Sequence, residues 1–355
     1  AGMLSALGVM LAVKNLPKRL TPLGLAVSAL GYSVGGAIGP VLGGLLTAHF
    51  DWTWIFLINV PIGAIGIALA LGSVPKDSGF DRSSFDYAGS LLLFVAMIAG
   101  LYVLESAPSH GFGAMSAAIL AAFALFMALF VLRERRASEP VLEFSVFRRP
   151  ATIAAIVVFV MINLCWMGAF YLLPFYMQLA LGYDVVITGL VLSIQSVVTL
   201  VMCVPVGRRV PAKGNRHYAI LASACMVAMS AALAVAGTTS PVPMLVSVVF
   251  LGAIWGYGGG SLGNRIIDSV DQDKRGSASP MVSFVIYFGG ALGSALFSGL
   301  FSIGSGTRGA LIPELSVDTF MSGFTFAMAV GTALSLLTLF LAWRFDEERD
   351  GSAPS

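Results

Sequence analysis

The sequence predicts an all-α polytopic membrane protein, and three observations carry that prediction. Of 355 residues, 57% are apolar and only 11% are charged, against roughly 45–50% and about 25% in soluble domains. The charges leave bare runs at 20–50, 52–75, 150–183, 185–207, 276–307 and 319–343, each able to hold the roughly 20 apolar residues that cross a bilayer as a helix. The third observation is the placement of the 20 Lys and Arg, which sort onto one face once the spans alternate.

Reading charges and Gly/Pro clusters as punctuation, a half helix covers 1–13, ended by Lys14 before it is long enough to span. Full helices follow near 22–48, 52–73, 87–104, 113–132, 152–179, 186–207, 217–236, 243–264, 277–303 and 319–343. GTTSPVP at 237–243 divides a bare run too long for one crossing. Alternation then gathers the loops 14–19, 74–86, 133–150, 208–216, 265–275 and the tail 344–355 on one face, with 19 of the 20 basic residues; only Arg308 falls opposite. Positive residues stay inside, so this face is expected to be cytoplasmic, in a cell inner membrane, with the C-terminus inside. The opening Ala1-Gly2-Met3-Leu4 has no basic region and no cleavage site, so it does not read as a signal peptide and the chain is expected to be a fragment.

Several chemistries are set aside by the same pattern. A net charge of +2 argues against a nucleic-acid partner. Cys165, Cys203 and Cys225 lie in apolar runs without CxxC spacing, and His49, His110 and His217 are far apart, so neither a metal nor a thiol site is expected. No nucleophile with a neighbouring base is recognisable, so an enzyme is not expected. No Asp, Glu, Lys or Arg falls near the centre of any expected span, where an ionisable group is costly and marks function. Glu105 and Asp184 lie at outer ends, and Asp268, Asp271 and Asp273 in a cytoplasmic loop.

The stretch 31–44, GYSVGGAIGPVLGG, repeats glycine every four residues at Gly31, Gly35, Gly39 and Gly43. That spacing places them on one face, where a second helix can approach backbone to backbone. Pro40 withdraws one hydrogen-bond donor from the same helix. Gly35-x3-Gly39-Pro40-x2-Gly43-Gly44 resembles the antiporter signature on the fifth helix of the major facilitator superfamily. Trp52-Thr53-Trp54-Ile55-Phe56-Leu57-Ile58-Asn59-Val60-Pro61 after it resembles the sixth helix of the fourteen-helix drug:proton antiporters (EmrB/QacA type). Phe85-Asp86-Tyr87-Ala88-Gly89 resembles the entry to that family's two extra central helices. Leu173-Pro174-Phe175-Tyr176-Met177-Gln178 with Gly182, Tyr183 and Gly189 resembles the end of its seventh core helix and the start of its eighth.

The resemblance has departures. Ala26 replaces a glycine of the signature. The segment Gly207-Arg208-Arg209-Val210-Pro211-Ala212-Lys213-Gly214-Asn215-Arg216 resembles the family's cytoplasmic gating loop, but Pro211 and Ala212 stand where its Asp and Arg would be. The resemblance also implies that the family's first three helices are missing. It assigns 1–73 to the rest of the first bundle, 74–145 to the two-helix insertion and linker, 146–345 to a second six-helix bundle and 346–355 to a tail.

What the resemblance implies for function is efflux of hydrophobic or cationic compounds by alternating access, with a proton gradient as energy source, no cofactor and the lipid bilayer as surroundings. A periplasmic adaptor is a further conceivable partner. Candidate cavity residues are the amides Asn163 and Gln195 with Trp166, Phe170, Tyr171, Trp255, Tyr257 and Tyr287, since aromatic surface attracts organic cations. A metabolite exporter or symporter of the same superfamily, or a degenerate non-transporting membrane scaffold, are the alternatives.

Overall fold

Hydrocarbon offers no hydrogen-bond partners, so a chain that crosses it must satisfy its backbone N–H and C=O groups internally. The computed structural model describes residues 21–73, 86–110, 114–135, 150–269, 275–307 and 312–344, and there the backbone is overwhelmingly helical. In chain order the helices are α1 (Thr21–His49), α2 (Thr53–Leu57), α3 (Asn59–Ser73), α4 (Tyr87–His110), α5 (Ala114–Glu134) and α6 (Pro150–Phe175). They continue with α7 (Val185–Lys213), α8 (Asn215–Ala234), α9 (Val242–Asp268), α10 (Arg275–Ser305) and α11 (Val317–Arg344). Taking α2 and α3 as one segment, eight helices among the described residues are long and apolar enough to cross a membrane, and Val34–His49 and Tyr87–Val103 are shorter apolar stretches. These segments coincide with the ten expected spans. The half helix at 1–13, Lys14, most of the linker 133–150, Asp271, Asp273, Arg308 and the tail lie outside the described residues.

Where the helices start and break follows from single residues. Pro61 cannot donate to the carbonyl of Leu57, and the helix divides there, at Ile58, into α2 and α3. Asn59 Nδ2 donates to the carbonyl of Ile55 across the break, at 3.0 Å. Pro174 likewise precedes a π-helical turn, Tyr176–Ala180, that extends α6. Asp184 caps α7 by accepting from the N–H of Ile187 at 2.7 Å. One expectation needs correction here: the segment 208–216 is not a loop, because α7 runs through Gly207, Arg208 and Arg209 to Lys213. A single residue, Gly214 at φ 79°, turns the chain into α8, a conformation that side chains resist.

The chain divides into two compact units, Ala1–Ser83 with Tyr183–Leu200, and Ser84–Gly182 with Val201–Ser355. In the first, α1 meets the first half of α7. A Cβ on Gly44 would lie 2.7 Å from the carbonyl oxygen of Val185, and one on Gly189 would collide with the carbonyl oxygen of Pro40. Helices α2 and α3 bury no side chain. They are apolar all round, so a lipid environment suits them where water would not.

The second unit is built on the packing of α10 against α6, with α8 against α9 and α11, and α4 against α5 and α10. A Cβ on Gly289 would lie 2.9 Å from the carbonyl oxygen of Val160, and one on Gly293 would strike that of Leu164. The two backbones therefore touch. Phe297, 1% exposed, fits against Gly168 of α6 and Gly331 of α11, neither of which has room for a Cβ beside its ring. Hydroxyls buried in this unit bond mostly to carbonyls four residues back, as Ser223 does to Ala219 and Ser335 to Gly331. Ser230 also donates across to Ser335 at 3.2 Å, joining α8 to α11.

At one end of the α4–α5 pair lies an ion pair whose acid is buried and whose base is half exposed. Asp86 accepts from the N–H of Gly89 at 2.9 Å, capping α4, and from Arg133 Nε of α5 at 2.8 Å. The Asp86 side chain is 5% exposed and that of Arg133 51%. The Gly89 N–H first, and then the guanidinium, hold the Asp86 carboxyl below the usual carboxylate range, against the opposing effect of desolvation.

Gly293→Ala should destabilise the detergent-solubilised protein by the roughly 1–3 kcal/mol that overpacking costs, read as a lower thermal midpoint. Gly290→Ala, whose added Cβ would meet Met167 at an ordinary 3.6 Å, should leave the midpoint unchanged. In a double-mutant cycle, Asp86→Ala and Arg133→Ala together should cost less than the sum of the single losses. Because the Asp86 pKa is depressed on folding, its contribution is present above the unfolded carboxyl value and fades as pH falls through the lower folded one. The coupling should therefore be constant near neutrality and vanish in acid.

Candidate substrate-binding site

The glycine-rich helix α1 presents two rows. Gly31, Gly35, Gly39 and Gly43 form the expected row, and a Cβ on any of them would meet nothing within 4 Å. The packed row lies one residue along, at Gly36, Pro40 and Gly44, against Ser196, Gly189 and Val185 of α7. Successive residues differ by about 100° around a helix, so the packed and open rows are separate faces. Gly44 alone among the signature glycines is in the contact. On the partner helix the reciprocal glycine is Gly189, which the sequence offered only as part of the resemblance and not as a packing partner of α1.

The aromatic candidates separate into groups. Trp166 and Phe170 of α6 stack with centroids 5.3 Å apart and planes at 3°. Trp255 of α9 meets Trp166 edge-on at 5.8 Å, and Phe159 at 6.4 Å. The Trp166 indole N–H donates to the carbonyl of Leu251 at 3.1 Å. That of Trp255 is buried and has no acceptor among the described residues. An indole N–H in this position is a donor in want of an acceptor, costing about 1–3 kcal/mol if left dry. Gly259, one turn along α9, makes room for the Trp255 ring, since a Cβ there would lie 2.7 Å from Trp255 Cε3.

The remaining candidates stand elsewhere. Asn163, 2% exposed, donates Nδ2 to the carbonyl of Phe159 at 2.7 Å. Its Cβ fills the space beside Gly289, so this amide sits in the α6–α10 seam. Gln195 is buried in the first unit and its carbonyl accepts from Thr199. Tyr171 meets Phe175 at 5.9 Å, Tyr257 stacks on Tyr218 at 6.2 Å, and Tyr287 is 56% exposed. Three of the eight candidates, Trp166, Phe170 and Trp255, thus come together as one cluster.

The basic segment has its own geometry. Arg216 Nη2 donates to the carbonyl of Trp343 at 2.6 Å, tying the start of α8 to the end of α11. This satisfies a terminal helix carbonyl with a cation, as the helix dipole favours. Gly207 lines a cavity of about 490 Å³ with Asn215, Gly260, Ser261, Asn264 and Arg265. Arg208 and Arg209 are exposed. Arg265 was legible from the sequence only as a loop cation; its place on this cavity wall depends on α9 continuing to Asp268.

Known proteins match along most of the chain. A family profile described as Major Facilitator Superfamily covers residues 1–294. The chain is similar to "Probable transport protein HsrA" of Haemophilus influenzae, 26% identical over 86% of this chain and 66% of that protein. It is similar to "Multidrug resistance protein B homolog" of Mycobacterium tuberculosis, 28% identical over 84% of this chain and 58% of that protein. It also matches "Tetracenomycin C resistance and export protein" of Streptomyces glaucescens, 34% identical over 52% of this chain and 34% of that protein. The chain thus spans about three-fifths of the length of the first two. With apolar helices at all ten expected spans and a profile match over most of its length, this multi-pass membrane chain belongs to the Major Facilitator Superfamily.

Proposed function

We propose that the intact protein expels hydrophobic or cationic small molecules in exchange for protons, as a drug:proton antiporter of the fourteen-helix type. The cluster of Trp166, Phe170 and Trp255 carries the reading. Stacked indole and phenyl faces attract flat organic cations by burial and by the ring quadrupole, together about 0.5–2 kcal/mol per well-placed ring. The unpartnered Trp255 N–H adds one donor for a polar substrate atom. The names of the relatives, which speak of multidrug resistance and export, support the same reading.

The orientation proposed is cytoplasmic for the face bearing Arg209, Lys213, Arg216 and Arg344, in an inner membrane, because 19 of 20 basic residues collect there. The signature helix α1 acts as the closing face: its open row at Gly31, Gly35, Gly39 and Gly43 is free to receive another helix as the bundles rock.

The test is ethidium efflux from cells that lack their own pumps and express the full-length protein. Trp255→Ala and Trp166→Ala should each slow efflux several-fold, and a protonophore should stop it. Gly39→Leu should abolish efflux while insertion stays normal, since its Cβ position is open. Efflux that survives the protonophore, or that is untouched in the double tryptophan variant, would defeat the proposal.

A further inference from the structure

A second cavity, of about 360 Å³, lies in the second unit beside α7 and α8, and its lining changes character along its length. On α7, Met202, Pro205, Arg209 and Lys213 recur at helical spacing and share one face, apolar first and basic last. On α8 the gradient repeats. Leu221 stands against the apolar part, and His217 lies one turn nearer the basic end. Tyr218 and Tyr257 close the inner wall as a stacked pair, Tyr218 being 3% exposed. Arg209, Lys213 and His217 are exposed at the rim. No carboxylate lines this cavity among the described residues.

A groove that is apolar at bilayer depth and cationic where its helices leave the bilayer has the polarity of a lipid turned inside out. We propose that it binds one anionic phospholipid. The headgroup phosphate lies among Arg209, Lys213 and His217, and an acyl chain runs along Val201, Pro205 and Leu221. Basic residues near an anionic leaflet each strengthen such binding roughly fivefold. A free phosphate would use only the rim and leave the apolar wall unfilled. Seated here, the lipid would bridge α7 and α8 across the Gly214 turn, the joint where the basic segment reverses direction. The proposal rests on the membrane orientation above and not on transport, so it is tested without efflux.

The experiment counts lipids retained by the purified full-length protein in native mass spectrometry, after mixing with phosphatidylglycerol or phosphatidylcholine in detergent. One phosphatidylglycerol should remain bound and phosphatidylcholine should not. Arg209→Gln with Lys213→Gln should lower phosphatidylglycerol occupancy at least tenfold. Arg344→Gln, whose guanidinium lies over Phe340 outside the groove, should not. Leu221→Trp fills the chain path and leaves the cations, so it should also expel the lipid; it carries the test alone if the double variant fails to fold. Undiminished retention in Leu221→Trp overturns the proposal. So does equal retention of the two lipids, or displacement of phosphatidylglycerol by millimolar inorganic phosphate, which would make the rim a free-anion site.

Discussion

The close approach of α10 to α6 at Gly289 and Gly293 is the contact on which the second unit depends. In a bilayer, the hydrophobic effect does not drive helix against helix, because lipid tails are as apolar as leucine. What remains is dispersion over short distances and hydrogen bonding, and both need backbones close together. Glycine supplies that closeness on α10, and the gap that it leaves is filled from the partner helix by Asn163 Cβ. Phe297 inverts the device, setting a large ring where Gly168 and Gly331 have no side chain. The helices are thereby registered along their length, and the register places Trp166 and Phe170 of α6 at the height of Trp255 of α9.

Polar groups in the helices are dealt with locally. Serines and threonines bond back to their own helices, and the few that reach across, such as Ser230 to Ser335 and Ser247 to the Met229 carbonyl, link α8 to its two neighbours. Among the described residues several charges at the helix ends have a task. Asp184 and Asp86 cap helices, Arg133 closes on Asp86, and Arg216 ties α8 to α11. The Trp255 N–H and the Thr152 hydroxyl are buried without a partner among the described residues, and of the two it is the Trp255 N–H that lies beside two stacked rings.

The two cavities at the basic end share the α7 segment that includes Val206 and lie on different sets of residues. One is lined by backbone-exposing glycines and amides, the other by an apolar wall and three basic or imidazole groups. Their difference arises because α7 continues as a helix to Lys213 where the charge pattern suggested a loop. A loop would have scattered Arg208, Arg209 and Lys213, whereas a helix points Arg209 and Lys213 along one face.

The sequence by itself determined where the apolar spans lie, because charge in hydrocarbon is expensive enough to punctuate the chain without help from packing; it misplaced the end of α7, which continues as a helix to Lys213. It also determined the family, through the spacing of Gly35, Gly39, Pro40, Gly43 and Gly44 and the tryptophan string after it. It could not decide which glycine row on α1 is in contact. Rows one residue apart differ only in what faces them, and it took Gly189 and Val185 on α7 to show that Gly36, Pro40 and Gly44 are the packed set. Nor could it say which aromatics meet. Asn163, Tyr171 and Trp166 lie within nine residues of one another on a single helix, yet only Trp166 turns toward Trp255, because the direction of a side chain around a helix acquires meaning only when the neighbouring helix is in place.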